Sequence, residues 1–336
     1  MTETPLPDDS LAAMTRAADE AMMTWGFAGA DRSLVKFREN AVFRVTGPDG
    51  RRRALRVHRP GYHSDAELAS ELAWMEALAA DGLPVPAVVP TPGGALMATI
   101  GEPGSAFQVD VLEWLDGAPI GSAGESMRLA GPDLARVQAE TGRLAARIHA
   151  HAATWARPAG FTRHAWDCDG LIGPAPFWGP FRALPAIADH LALVDAVCER
   201  ARADLAAFGA TPANYGLIHA DLVPDNLLEA GGAVMLIDFD DAGFGWHLFE
   251  IATALFFLQG TEGFEAARDN LVAGYRSVRP LPEADLARLD LFLALRGLTY
   301  LSWLASRQDT ETARELAPVL VGLAVRACRA YLDADA

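Results

Sequence analysis

Asp221, Asn226 and Asp238 are the residues of this chain whose types and spacing carry the most chemistry. They fall in one stretch: His219-Ala220-Asp221-Leu222-Val223-Pro224-Asp225-Asn226, an apolar segment, then Ile237-Asp238-Phe239-Asp240-Asp241. Two carboxylates and an amide oxygen brought to one point could hold a hard divalent cation and orient a hydroxyl. The intervening sequence supplies the means. Leu227-Leu228-Glu229 and Ala233 to Ile237 are two apolar runs around Gly231-Gly232, which predicts a tight hairpin. With those glycines as the turn pair, Asn226 lies opposite Ile237, one residue from Asp238, and Asp221 sits in the loop feeding the ribbon. Any one of these residues alone is ordinary in a surface turn; three in register on the correct sides of a hairpin are not.

The elements around this ribbon follow from periodicity. Residues 10–25 have helical spacing, Leu34 to Val45 has the composition of strands, and Gly47-Pro48-Asp49-Gly50 is a turn. In Arg53 to His58, alternation puts Leu55 and Val57 on one face and Arg56 and His58 on the other. Ser64 with Glu67 three residues later is a capping box that starts a helix with a Leu68, Leu72, Met75 and Leu78 stripe. Glu71 lies inside that stripe, where a carboxylate is costly unless paired. Arg56 on the preceding strand is the best partner. Phe107 to Leu112 reads as a strand running into Glu113-Trp114-Leu115-Asp116-Gly117. Pro132 to Trp155 is a long amphipathic helix, and 156–183 is a loop-rich aromatic segment able to line an acceptor pocket or to pack on the core. Asp167 and Asp169 there are candidate amine contacts. From Phe264 to Tyr331 the pattern is amphipathic helix, with Arg296 expected to snorkel or pair with an acid and no chemistry assigned.

At 336 residues and 51% hydrophobic composition the chain can bury a large core and is expected to divide in two. The acidic segment Met1 to Asp9 lacks the pattern of a signal peptide, and the longest apolar run, Ile251 to Leu258, is too short to span a bilayer. Cys168, Cys198 and Cys328 have no metal-type spacing and fit a reduced cytoplasm. A net charge of -16 argues against nucleic-acid binding and favours cationic ligands. Of the 28 basic residues, Lys36 alone is lysine.

The Asp-x4-Asn spacing resembles a kinase catalytic loop, and the Asp-Phe after an apolar strand resembles its metal-binding motif. The fuller pattern, Ile218-His219-Ala220-Asp221 to Asn226 and Leu236-Ile237-Asp238-Phe239, resembles the aminoglycoside phosphotransferase and choline kinase family, whose homoserine kinases carry a similar His-Ala-Asp-Leu loop. The resemblance implies an α+β, bilobal protein-kinase-like fold, with a nucleotide-binding lobe over residues 1–113 and a mainly helical catalytic and acceptor-binding lobe over 114–336. It implies that Asp221 orients the acceptor hydroxyl and takes its proton, while Asn226 and Asp238 hold magnesium on the ATP phosphates. By the same resemblance Arg56, steadied by Glu71, would neutralise phosphate charge, with Lys36 on an earlier strand as the alternative source of that charge, and backbone groups at Glu113 to Leu115 would hold the adenine edge. The resemblance further implies that Glu250 braces the catalytic loop and that His219 supports it, while Asp240 would assist a second metal or the acceptor, or be an ordinary surface aspartate.

Two departures from the family pattern stand out. Arginine occupies position 56 where lysine is usual, and the two are not interchangeable. No Gly-x-Gly-x-x-Gly loop is present; the turn Glu39-Asn40-Ala41 takes its place, with Asn40 as a candidate phosphate contact. The expectation is a magnesium-dependent transfer of the ATP γ-phosphoryl group to a small-molecule hydroxyl: an amino alcohol, hydroxy amino acid, sugar or aminoglycoside. The alternatives are a bacterial Ser/Thr protein kinase of the stress-response type and a non-catalytic nucleotide-binding regulator. Only 11 residues separate Asp238 from Glu250, too few for a protein-substrate platform of the eukaryotic kind. Oligomeric state is not legible in the sequence.

Overall fold

The computed structural model describes residues 10–37, 40–122, 124 and 127–334. The Met1 to Asp9 segment and Glu39 lie outside the described residues. The chain divides into two compact units, one running from the first helix to Asp116 and taking in Ala156–Thr162, the other comprising Gly117–Trp155 and Arg163–Ala336. The fold is α+β, sheet-rich in the amino-terminal unit and mainly helical in the carboxy-terminal one.

The amino-terminal unit contains α1 (Ser10–Thr24), β1 (Arg32–Phe37), β2 (Ala41–Thr46), β3 (Arg52–Val57), α2 (Asp65–Ala80), β4 (Met97–Ile100) and β5 (Phe107–Glu113). Its five strands form one antiparallel sheet in the order β1-β2-β3-β5-β4. The two-residue side-chain period sends Phe43, Val45, Leu55, Val57, Val109 and Val111 to one core, which Met14, Ala18 and Ala21 of α1 complete. The opposite residues of β3 and β5 point the other way, and the register places Arg56 directly beside Asp110. The Ser64/Glu67 capping box starts α2, whose Leu68, Leu72, Met75 and Leu78 are buried together with Glu71. Sheet pleat, register and helix phase thus bring one arginine and two carboxylates into the same interior.

The carboxy-terminal unit follows with β6 (Ala118–Pro119), α3 (Gly131–Thr154), β7 (Ala165–Trp166), α4 (Cys168–Ile172), α5 (Leu191–Phe208), β8 (Tyr215–Ile218), β9 (Leu227–Ala230), β10 (Ala233–Leu236), β11 (Gly243–Trp246), α6 (His247–Leu255), α7 (Phe264–Arg276), α8 (Glu283–Leu286), α9 (Leu289–Ser306) and α10 (Glu311–Asp333). Two small sheets, β10-β9-β6 and β7-β11-β8, carry the loops of interest. α9 is buried along almost its whole length, as an apolar-all-round helix must be. The aromatic segment packs inward at Trp166, Trp178 and Phe181, and Asp167 caps α4 through the Gly170 amide rather than standing free. Among the described residues no helix is long and apolar enough to cross a membrane.

Candidate active site

The hairpin forms in the register its glycines dictate. Ala230 pairs with Ala233 and Leu227 with Leu236, while Gly231 and Gly232 take φ of 57° and 95°, the double positive φ a two-residue turn of this kind requires. The Ile237 amide donates to the Asn226 carbonyl at 3.0 Å, so Asn226 and Asp238 emerge at the same open end.

The loop between β8 and β9 is held from three sides. Glu250 of α6, wholly buried, accepts from the amides of His219 (3.1 Å) and Ala220 (2.6 Å). Burial pushes its carboxyl up, against the pull of His219 and of those two amides. His219 is buried too: its Nδ1 accepts from the Asp221 amide at 3.2 Å, which leaves Nε2–H to donate to the Ile237 carbonyl at 3.1 Å. One imidazole thereby ties the loop to the end of the hairpin. The third hold comes from α9, where Arg296 donates to the Ala220 carbonyl (3.0 Å) and to Asp221 Oδ1 (2.7 Å).

Within this frame Asn226 Nδ2 donates to Asp221 Oδ2 (2.8 Å) and to the Asp221 carbonyl (3.0 Å). Two acceptors around one amide nitrogen fix which way the amide points, so Asn226 Oδ1 turns away from Asp221 as an uncommitted hard donor. Asp238 has φ of 69° and Ala220 φ of 65°, the two non-glycine residues with left-handed backbone among those described. Such residues cost of order 1–3 kcal/mol each and persist where their surroundings over-determine them. Beyond Asp238 the chain is braced by the buried Arg163, which donates to the carbonyls of Phe239, Asp240 and Ala242. Trp166 and Trp178 donate their indole N–H groups to Asp241 at 2.9 and 3.0 Å. Asp240 is 6% exposed, so it is not the surface aspartate that one sequence reading allowed. An amide oxygen and a carboxylate at one strand end are the hard oxygen donors that suit Mg²⁺ or Ca²⁺.

In the amino-terminal unit Arg56 is buried and multiply held. Its Nε and Nη2 both donate to Asp110 at 2.8 Å, and Nη1 donates to Glu71 at 2.9 Å. His58 Nε2 adds a 2.6 Å bond to the same Asp110. Burial opposes charge on Asp110, but Arg56 and His58 outweigh it and hold that carboxyl well below the usual range. Asn40 Oδ1 accepts from the Arg59 amide at 3.2 Å. The amides of Glu113 and Trp114 donate to the carbonyls of Ala87 and Arg52, so of the three N–H groups at 113–115 that of Leu115 is the one left out of these bonds.

The sequence reading missed Asp110, Arg163 and the reach of Arg296. Asp110 was readable in principle, since alternation along β5 puts it on the Arg56 face. Arg296 also left a signal, being the single charge in the run from Leu291 to Ser306. Arg163 gave none, because its bonds are to carbonyls of a loop 76 to 79 residues away.

Residues 34–292 match the profile of the phosphotransferase enzyme family. A solved microcompartment-associated aminopropanol kinase is 33% identical, superposes with a TM-score of 0.83, and is matched over 96% of this chain and 98% of that one. An amicoumacin kinase solved with AMP-PNP and Ca²⁺ shares the fold at 20% identity and a TM-score of 0.77, over 97% and 96% of the two chains. A homoserine kinase of Gluconacetobacter diazotrophicus is 45% identical over 85 residues, 24% of this chain and 26% of its own length.

Proposed function

This chain belongs to the phosphotransferase enzyme family of kinase-like small-molecule phosphotransferases, and from that premise we propose that it moves the ATP γ-phosphoryl group to the hydroxyl of a small amino alcohol. The observation that carries this reading is the Asp221–Asn226 pair, locked so that a carboxylate and an amide oxygen face the chemistry with Asp238 beside them. The choice among acceptors rests on the likeness to the aminopropanol kinase, which runs nearly end to end in both chains.

Asp221 receives the acceptor hydroxyl's hydrogen bond and takes its proton late, as the new P–O bond forms and the bond to ADP breaks. Asn226 Oδ1 and the Asp238 carboxylate are the residues to hold Mg²⁺, which when bound offsets charge on the phosphates. Arg56, clamped by Asp110 and Glu71, presents a positive charge to the nucleotide, with Asn40 as a further phosphate contact. The free amide of Leu115, beside Glu113, suits one edge of adenine. An ATP requirement and three unpaired cysteines favour the cytoplasm as the place of work.

The test is ATP consumption with magnesium against a panel holding 1-amino-2-propanol, ethanolamine, choline, homoserine, sugars and aminoglycosides. Amino alcohols are expected to turn over fastest. Asp221→Ala should cost ~10²–10⁴ in kcat with nucleotide affinity mostly kept, the range typical for loss of a general base. Asp238→Ala should abolish metal-dependent nucleotide binding. Full activity in Asp221→Ala would refute the assignment of the loop, and turnover of a protein substrate alone would move the chain to the protein-kinase alternative.

A further inference from the structure

Arg296, like Glu250, is a charged side chain of the carboxy-terminal unit with no exposed surface. Its guanidinium lies against the rings of Tyr300, Trp178 and Phe249, at 4.3, 5.1 and 5.7 Å from their centroids. An arginine so placed has given up its hydration and must recover it from the protein. Its polar partners are few and specific: the Ala220 carbonyl, Asp221 Oδ1 and the Tyr300 hydroxyl at 2.9 Å. Burial opposes its charge, yet Tyr300 and Asp221 hold the guanidinium above its ordinary value, so it stays a cation. Among the described residues Asp221 is the one carboxylate with which it forms an ion pair, and Asp221 keeps 22% of its side-chain surface exposed.

That pattern differs from a structural ion pair, where both partners are sealed. Here the cation is sealed and the anion keeps an open side. The same two nitrogens reach both the residue of interest and the strained peptide before it. Ala220, with φ of 65°, has its N–H taken by Glu250 and its carbonyl by Arg296. Asp221 has Oδ2 taken by Asn226 and Oδ1 by Arg296. Without Arg296 the carboxylate keeps a single side-chain anchor and the peptide loses one of its two.

We propose that Arg296 is a positioning residue for the transfer reaction: it fixes the Ala220 peptide and the Asp221 carboxylate so that the open side of that carboxylate meets the acceptor hydroxyl. Arg296 touches neither nucleotide nor acceptor in this scheme and acts through Asp221 alone. The inference rests on the reading of Asp221 given above. Loss of alignment by an ångström at a reacting group is worth about 10²-fold in rate, and groups that act as a unit give non-additive losses.

The experiment is a double-mutant cycle in the full-length enzyme, with ATP, magnesium and whichever panel acceptor turns over fastest. Arg296→Met should lower kcat about 10²-fold, with KM for ATP and acceptor within about 3-fold of wild type. Arg296→Lys, which keeps the charge and one donor direction, should recover about 10-fold of that loss. Adding Arg296→Met to Asp221→Asn should cost less than about 3-fold more, because the group through which it acts is already disabled. A structural role would not give that silence in the double variant. If Arg296→Met does not fold, Tyr300→Phe in the same cycle serves in its place, with a several-fold drop in kcat in the wild-type background and none beside Asp221→Asn. A folded Arg296→Met with wild-type kcat overturns the inference, as does the same fractional loss in both backgrounds. An Asp221→Asn enzyme with full activity would instead refute the underlying reading of the site.

Discussion

Arg56 and Arg296 are both buried arginines bonded to carboxylates, one in each unit, and they are built for different ends. Arg56 faces Asp110 and Glu71, each with no exposed side-chain surface, and Asp110 takes a further bond from His58. Arg296 faces one carboxylate that is open to solvent, one carbonyl and three aromatic rings. The first is a cluster in which two carboxylates take bonds from Nε, Nη1 and Nη2 of the guanidinium, so the arginine is held rigid by what surrounds it. The second is a cation that holds something else. Two buried arginines therefore divide into one that is positioned and one that positions, and partner exposure separates them.

The largest expected effect tests that division directly. Arg56→Met strands two carboxylates in the interior, and removal of one partner from a buried ion pair costs about 3–5 kcal/mol. Arg296→Met leaves a carboxylate that water can reach, so its stability loss should be nearer 1–2 kcal/mol, the cost of the carbonyl and hydroxyl left unpaired. Urea unfolding of the two variants decides it. Equal losses would mean that burial of the cation, rather than exposure of the anion, sets the cost.

Acid should separate the two units next. His149 and His247 stack at 4.3 Å inside the carboxy-terminal unit, beside Glu250, Tyr275 and Arg279. Burial, with help from Arg279, pulls His149 down to about 3, and burial also lowers His247. Between pH 6.5 and 3 the unfolded chain therefore binds more protons at these sites than the folded one, and stability is lost as pH falls through that window. From pH 6.5 to 5 the loss for His149 is about 2 kcal/mol. Glu250 works in the opposite sense, since its carboxyl is raised, and offsets part of it. Asp110 is lowered, so the stability it brings is lost only below the unfolded carboxylate value. Hydrogen exchange at pH 5 should show the carboxy-terminal unit losing protection first. His149→Gln should narrow the difference in Tm between pH 7 and pH 5. An unchanged difference would put the acid sensitivity elsewhere.

Local rules made most of this legible in the sequence. The hairpin and its register followed from two glycines between apolar runs, the start of α2 from Ser64 and Glu67, and the Arg56–Glu71 pair from one acid inside an apolar stripe. Contacts set by long-range packing were not legible. Alternation along β5 gives the face of Asp110, but that it meets Arg56, 54 residues away, follows only from the β3–β5 register. Arg296 is 75 residues from Asp221, and the phase of a helix buried on all sides cannot be read from a hydrophobic pattern that has no polar face. Arg163 serves a loop through carbonyls, which every residue possesses.

Arg56→Lys is expected to have an intermediate effect. Lysine keeps the charge but cannot meet Asp110 with two parallel donors while reaching Glu71 with a third. The lost bonds should cost about 1–3 kcal/mol in urea unfolding and raise KM for ATP with little change in kcat. Near-normal behaviour would mean that the cluster needs only a positive charge, and the contrast with Arg296 would then rest on charge count instead of geometry.

The smallest effect asks which element holds the Arg56 cluster in place. Ser64→Ala removes the hydroxyl that accepts from the Glu67 amide, and it leaves the reciprocal bond that the Ser64 amide donates to the Glu67 carboxylate. Loss of such a cap costs about 1 kcal/mol and frays the first helical turn. Glu71 sits beyond that turn, while Asp110 and Arg56 are joined by strand pairing that does not involve α2. Stability should therefore fall slightly and KM for ATP should not move. A rise in KM comparable with that of Arg56→Lys would show that the helix, through Glu71, sets the orientation of the guanidinium, and that its two bonds to Asp110 merely follow.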